Sequence, residues 1–167
     1  MLTALANSVV RLLNDAKRVA SQVMIITNAE TGWVELSAAK FMPDVLPVLR
    51  DIPVLSARST FEPEYPDNPL DWKMAAFEQE VQRFVKASTA AKKHVISIGD
   101  SIHERSALMA AMERVEDGVT KSIKFVERPT VDQLMRQVDI MRSCIASVVA
   151  EKDPMDLMLS IQLLHGQ

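Results

Sequence analysis

Apolar residues along the chain alternate between helical spacing and short unbroken runs. Helical spacing extends over residues 3–20, 34–50, 71–90, 101–115 and 130–152. Strand-length apolar runs occupy residues 23–27, 52–57, 94–98 and 122–126. Strands that alternate with helices require crossover connections, so the pattern predicts a parallel sheet covered by helices on both faces. We therefore expect an α/β fold with three layers, of the Rossmann-like kind.

Turn residues set the expected limits of several elements. Pro43 and Pro47 should break or kink the second helix. Residues 58–70 carry three prolines among acidic side chains and are predicted to form a loop, after which Asp71 caps the third helix. Asp153-Pro154 should end the last long helix, leaving a short apolar helix that runs to Leu164.

Length, charge and cysteine content narrow the class of protein. The 167 residues suit one domain. The net charge of −3 argues against nucleic acid as a partner, and no apolar run is long enough to span a membrane. The single Cys144 cannot form an internal disulfide, which favours a reducing, cytoplasmic location.

Polar residues follow two of the predicted strands and begin one helix. Thr27 ends the first strand and precedes Asn28, Lys73 begins the third helix, and Asp100 ends the third strand with Glu104 four residues later. A hydroxyl and turn N–H groups can hold a phosphate oxygen, an ammonium can neutralise it, and one or two carboxylates can bind Mg²⁺. Ligands of α/β proteins collect at the carboxyl ends of parallel strands. We therefore expect a phosphate and metal site at the carboxyl ends of the predicted strands.

Each of these residues also has a structural interpretation. Ser101-x-x-Glu104 has the form of a capping box, so Glu104 could serve only the start of its helix. Thr27 could simply end a strand, and Lys73 could be a solvated lysine on the first turn of a helix. Their joint order along the chain is what favours a site.

Three segments, taken in order, resemble signature motifs of the haloacid dehalogenase-like hydrolases. Ile25-Ile26-Thr27-Asn28 resembles the second motif, Asp71-Trp72-Lys73-Met74 the third, and residues 96–104 the fourth. The resemblance spans about residues 20–128. Some members insert a large cap domain where this chain has residues 58–70, and that loop is too short to be one. The resemblance implies that Thr27, Asn28 and Lys73 contact phosphate, and that Asp100 and Glu104 hold Mg²⁺, with glutamate replacing the more usual aspartate.

The resemblance also implies an activity and a class of substrate. Most members of the family are Mg²⁺-dependent phosphatases that work through an aspartyl-phosphate intermediate. The expected substrate is therefore a phosphorylated small molecule or a phosphoprotein. A receiver-like or nucleotide-binding module is a weaker interpretation, because the chain has no glycine-rich phosphate loop.

The first signature motif, an Asp-x-Asp at the end of a strand, is absent. No aspartate of the chain lies two residues from another, and only a helix precedes residue 23. In the family, the strand that bears this motif lies in the middle of the sheet, between the strands that here end at Thr27 and Gly99. The chain as given thus has no candidate nucleophile, and a covalent mechanism requires one.

Two explanations follow for the absent motif. The chain could be a single core domain, residues 1–167, whose N-terminal segment is missing. Alternatively, it could be a catalytically inactive binding or scaffold protein that uses the helix at 130–152, with Met135, Met141 and Ile145, to contact a partner. The missing segment is favoured, because loss of a central strand leaves unpaired backbone groups at about 1–3 kcal/mol each when buried. Another copy in a homo-oligomer could also supply that strand.

Overall fold

The computed structural model of the chain describes residues 1–165. The helices are α1 (Leu2–Val19), α2 (Trp33–Phe41), α3 (Leu46–Leu49), α4 (Ala57–Phe61), α5 (Pro69–Ala87), α6 (Ile102–Met112), α7 (Val131–Ala150) and α8 (Ile161–His165). The strands are β1 (Ile25–Thr27), β2 (Val54–Ser56), β3 (Lys93–Gly99), β4 (Gly118–Lys124) and β5 (Met155–Met158). Across residues 1–165, no helix has the length and apolar character needed to cross a bilayer.

The strands form two parallel sheets. β1 pairs with β2 in one sheet, and the other has the order β3-β4-β5. The prediction of an α/β fold built on parallel strands is thus confirmed, and the arrangement is consistent with a Rossmann-like fold. Within the described residues no ladder joins β1 to β3, so the layer of strands is interrupted between them.

Helices cover both faces of this layer. On one face, α1 and α7 pack on the sheets, with Leu5 in the same cluster as Ile123. On the other face, α5 and α6 pack together, and Ile26 and Val95 lie against their apolar side chains. Val9 of α1 contacts the clusters that cover each sheet. α1 therefore bridges the two sheets on its face.

Local sequence signals explain where the long helices begin. Reciprocal capping boxes start α6, from Ser101 and Glu104, and α7, from Thr130 and Gln133, as their spacing predicts. α5 starts earlier than predicted: the Asn68 side chain accepts a hydrogen bond from the N–H of Asp71, and Pro69 occupies the first helical position. The predicted cap at Asp71 is wrong because Asn68, three residues earlier and followed by Pro69, is a stronger start signal.

Several predicted boundaries differ from the structure. The predicted loop at 58–70 contains α4, because the Ser56 hydroxyl caps Ala57–Phe61 by accepting a hydrogen bond from the N–H of Ser59. The second predicted helix is broken at Met42, where a 3-10 turn begins at Pro43, so the predicted break at Pro43 is confirmed. β4 begins four residues before the predicted strand at 122.

The strand β5 is absent from the predicted order. Residues after Pro154 were expected to form a helix, yet Met155–Met158 pair in parallel with Lys121–Lys124 before α8 begins. The segment has only four residues, and both a short helix and an edge strand suit its composition. The segment forms a strand because the backbone groups along the free edge of β4 require hydrogen-bond partners.

A buried lysine closes the end of α7. Lys121 of β4 is fully buried, and its ammonium donates to the carbonyl oxygens of Val148 at 2.7 Å, Val149 at 3.2 Å and Glu151 at 2.5 Å. Burial lowers the pKa of Lys121, and the nearby Glu151 carboxylate opposes this shift. The last carbonyls of a helix lack intrahelical donors. Lys121 therefore supplies donors to the C-terminal end of α7 from inside the sheet.

Candidate functional site

Lys73 connects three elements at the carboxyl ends of β1 and β3. Its side chain enters from the first turns of α5, and the residue is only 4% exposed. The ammonium lies 2.9 Å from Oε1 of Glu104 and donates to the carbonyl oxygen of Ile26 at 3.3 Å. A buried ammonium requires such partners, because its desolvation is costly. Lys73 is thus not the solvated lysine of the structural interpretation.

Glu104 has two structural contacts, one through each carboxylate oxygen. Oε1 faces the Lys73 ammonium, and Oε2 accepts the backbone N–H of Ser101 at 3.0 Å. The second contact completes the capping box of α6. The predicted capping role of Glu104 is therefore confirmed, and its ion pair with Lys73 is a contact that was not predicted.

The turn after β1 is held by side-chain hydrogen bonds. The hydroxyl oxygen of Thr27 accepts the N–H of Ala29 at 3.1 Å, and the Asn28 amide donates to the carbonyl oxygen of Pro69 at 3.0 Å. The second bond ties this turn to the start of α5. Oδ1 of Asn28 is buried, and it has no hydrogen-bond partner within residues 1–165. Thr27, Asn28 and Lys73 therefore surround the end of β1.

Asp100 is exposed, directly after β3. In the part of the chain that the structure describes, no group of three or more His, Cys, Asp or Glu side chains is placed to hold a metal. Mg²⁺ commonly takes only one or two protein carboxylates and keeps several waters. Since both oxygens of Glu104 already have partners, Asp100 is the one of the two predicted ligands that could bind Mg²⁺ without a change of contacts within residues 1–165. A second carboxylate would have to be Glu104, released from Lys73 or Ser101.

Gly99 allows Glu104 to fold back over the end of β3. A Cβ atom at this position would lie 2.7 Å from Cγ of Glu104 and 3.0 Å from its carboxyl carbon. A side chain at position 99 would therefore force the Glu104 side chain to move from its present position. The Gly-Asp sequence therefore has a steric role in the structure.

We expect Gly99→Ala to lower the free energy of unfolding by about 1–3 kcal/mol, since the new methyl group displaces Glu104 from Lys73 or from Ser101. Chemical denaturation measures this loss. Combining the change with Glu104→Ala removes the side chain that collides. The loss of unfolding free energy in the double variant should therefore be smaller than the sum of the losses in the two single variants. Fully additive losses would show that the collision is not the cause.

Sequence reasoning missed the backbone carbonyl of Ile26 as a partner of Lys73. It also treated Lys73 and Glu104 as ligands of different groups, whereas the structure pairs them directly. No local pattern reports this pair, because the two residues come from different helices. The adjacency of α5 and α6 on one face of the sheets could have indicated it.

A groove on the described part of the surface lies away from the predicted site residues. A groove of about 460 Å³ lies along α5 between Phe61, Tyr65 and Arg83, and none of the predicted site residues lines it. Comparison of the chain with protein families, curated proteins and solved structures finds no match to any of them.

Proposed function

We propose that this chain is the core of a haloacid dehalogenase-like phosphohydrolase, which holds a phosphate ester and Mg²⁺ at the carboxyl ends of its strands. The observation that carries the proposal is the position of the Lys73 ammonium. It lies between the carbonyl oxygen of Ile26, which precedes Thr27, and the carboxylate of Glu104. The order of the three motif-like segments along the chain supports the same assignment.

The proposed roles follow from the chemistry of each group. Thr27 and the N–H groups of its turn would donate to phosphate oxygens, with Asn28 beside them. Lys73 would neutralise the anion. To do so, its ammonium would give up its contact with Glu104 or with the carbonyl oxygen of Ile26. Asp100 would hold Mg²⁺, with Glu104 as a further carboxylate; bound there, the ion would neutralise charge on the phosphoryl group. No residue is assigned as the nucleophile, so purified 1–167 should release no phosphate from an aryl ester.

The alternative of a non-catalytic scaffold depended on a free apolar face on α7. Met141 and Ile145 are both buried in the cluster that includes Leu5 of α1, and Met135 packs against that cluster. This face belongs to the core and is not open to a partner. A scaffold function would need another surface.

Phosphate binding tests the proposed site without requiring turnover. Calorimetric titration of 1–167 with inorganic phosphate in the presence of Mg²⁺ should give a dissociation constant of about 1 mM. This corresponds to a favourable binding free energy of about 4 kcal/mol. We expect Asp100→Asn to abolish the part of this binding that depends on Mg²⁺. Asp117→Asn is the matched control. Asp117 is an exposed aspartate that precedes β4, so it lies at the amino ends of the strands, away from the candidate site.

Two results would contradict the proposal. One is the absence of saturable binding up to about 50 mM phosphate. The other is equal Mg²⁺ dependence in Asp100→Asn and in the unchanged chain. Turnover of an aryl phosphate that is abolished by Asp100→Ala would separately overturn the statement that 1–167 is inactive.

A further inference from the structure

β5 is the outer strand of its sheet, and the backbone on its outer side is unpaired. The N–H of Leu159 donates to the carbonyl oxygen of Lys124 in β4 at 2.8 Å, so the backbone groups of Leu157 also point toward β4. Those of Asp156 and Met158 point away from it, because successive strand residues face opposite sides. Within residues 1–165, these outward N–H and carbonyl groups have no hydrogen-bond partner.

The side chains of this edge carry no uncompensated charge. The Asp156 carboxylate accepts hydrogen bonds from Nε of Arg105 in α6 at 2.9 and 3.0 Å and from Nη2 at 2.5 Å. Leu157 is 45% exposed and Met158 is 65% exposed. Proteins commonly protect an edge strand with a free charge or a proline, and residues 155–158 have neither. The edge is therefore open to another strand.

We propose that β5 pairs with β5 of a second copy of this chain, in antiparallel orientation about a two-fold axis. The sheet β3-β4-β5 of each copy would then become half of one continuous sheet of six strands. The pairing goes beyond the proposed function and does not depend on it, because it involves none of the predicted site residues.

The outward groups determine the register. Opposite residues of an antiparallel pair alternate between those that exchange two hydrogen bonds and those that exchange none. Asp156 and Met158 have the free groups, so Asp156 exchanges two bonds with the partner's Met158, and Met158 does so with the partner's Asp156. Leu157, whose groups point toward β4, lies opposite the partner's Leu157 at the axis. All four outward backbone groups of each copy thus gain partners.

The same register covers the exposed side chains. Opposite residues of a non-hydrogen-bonded pair have Cα atoms about 4.5 Å apart, so the two Leu157 side chains would pack against each other across the axis. Met158 would lie beside the partner's Asp156, whose charge is neutralised by Arg105. A two-fold interface uses the same patch of both subunits. Because this edge is complementary to itself, it favours a second copy over an unrelated partner.

The size of the interface predicts a reversible dimer. Ile161 and Leu163 add exposed apolar side chains on α8, which follows β5. The four residues of β5 and these two side chains would bury less than about 1,200 Å² in total, which is the size of weak, transient complexes. We therefore expect a dissociation constant of about 10–100 µM instead of an obligate dimer.

Sedimentation velocity tests the association. The chain 1–167 should change reversibly from monomer to dimer between about 1 and 500 µM. In the dimer, the amides of Asp156 and Met158 should exchange at least about tenfold more slowly than in the monomer, as measured by NMR at two protein concentrations. A chain that stays monomeric up to about 500 µM would overturn the proposal, and so would equal protection of both amides in the monomer.

Charge at position 158 tests the register. Met158→Glu places a carboxylate opposite the partner's Asp156 twice in each dimer, and should raise the dissociation constant at least about tenfold. Met158→Lys introduces a side chain of similar length with the opposite charge, so it should raise the constant less. Leu36→Glu, at an exposed position of α2, is the matched control and should leave the constant unchanged. Equal effects of the two changes at Met158, or no effect of either, would overturn the proposal.

Cross-linking tests the two-fold axis. Cys144→Ala removes the native thiol, and Leu157→Cys then places two cysteines opposite each other, at a Cα separation that a disulfide can span. Mild oxidation at about 100 µM protein should link this variant at least about tenfold faster than Leu36→Cys in the same background. Circular dichroism checks that both variants are folded. Equal rates of linking in the two folded variants would overturn the proposal.

Discussion

Replacing Lys73 by methionine should lower the free energy of unfolding by about 3–5 kcal/mol, because it leaves the Glu104 carboxylate and the Ile26 carbonyl without their shared donor. The Glu104 side chain is largely buried, so water cannot fully take the place of the ammonium. Urea denaturation at neutral pH, with the slope of the transition checked against the unchanged chain, measures the loss.

Two variants identify the cause of this loss. Lys86→Met changes an exposed lysine on the same helix and should shift the free energy of unfolding by less than about 0.5 kcal/mol. Lys73→Met combined with Glu104→Gln should be more stable than Lys73→Met alone, since it removes the uncompensated charge. A loss under about 1 kcal/mol for Lys73→Met would show that the ion pair contributes little to stability.

Replacing Lys121 by methionine should lower the free energy of unfolding by about 2–4 kcal/mol, because three carbonyl groups at the end of α7 lose the donor that they share. The methionine side chain fills a similar volume, so the loss reports hydrogen bonding more than packing. Thermal unfolding followed by circular dichroism measures the loss.

Lys92→Met is the matched control for Lys121→Met. Lys92 is an exposed lysine just before β3, and its replacement should leave the melting temperature nearly unchanged. Because the donors of Lys121 reach only the end of α7, amide exchange in Lys121→Met should accelerate first at the C-terminal turn of that helix. Stability equal to that of the unchanged chain would mean that water or a rearranged turn satisfies these carbonyl groups.

The parts of the fold that short-range signals encode were predictable. The apolar spacing of residues 3–20 and the capping boxes at Ser101 and Thr130 require only neighbouring residues, and the structure confirms all three. The parallel arrangement followed from the alternation of helices and strands. α4 and β5 were not predictable in this way: each is short, and a cap at Ser56 or the free edge of β4 determines its conformation.

The candidate site was predictable as a location but not as a set of contacts. Parallel topology places Thr27, Lys73 and Glu104 at the same ends of the strands, and the structure brings Lys73 directly to Glu104 and to the carbonyl before Thr27. The pairing depends on how far α5 and α6 approach each other, which apolar spacing does not encode. The remaining assignments, of phosphate to Thr27, Asn28 and Lys73 and of Mg²⁺ to Asp100 and Glu104, stay predictions for the titration.

The packing of α1 on α7 determines when this domain can fold during synthesis. The Arg142 side chain of α7 donates to the carboxylate of Asp15 in α1 across a separation of 127 residues, and Leu5 shares a cluster with Val138 and Val148. α1 must therefore keep its apolar side exposed until α7 has been translated. Contacts so distant along the chain form slowly, so α1 exposes its apolar side for longer than a helix whose partners are close in sequence.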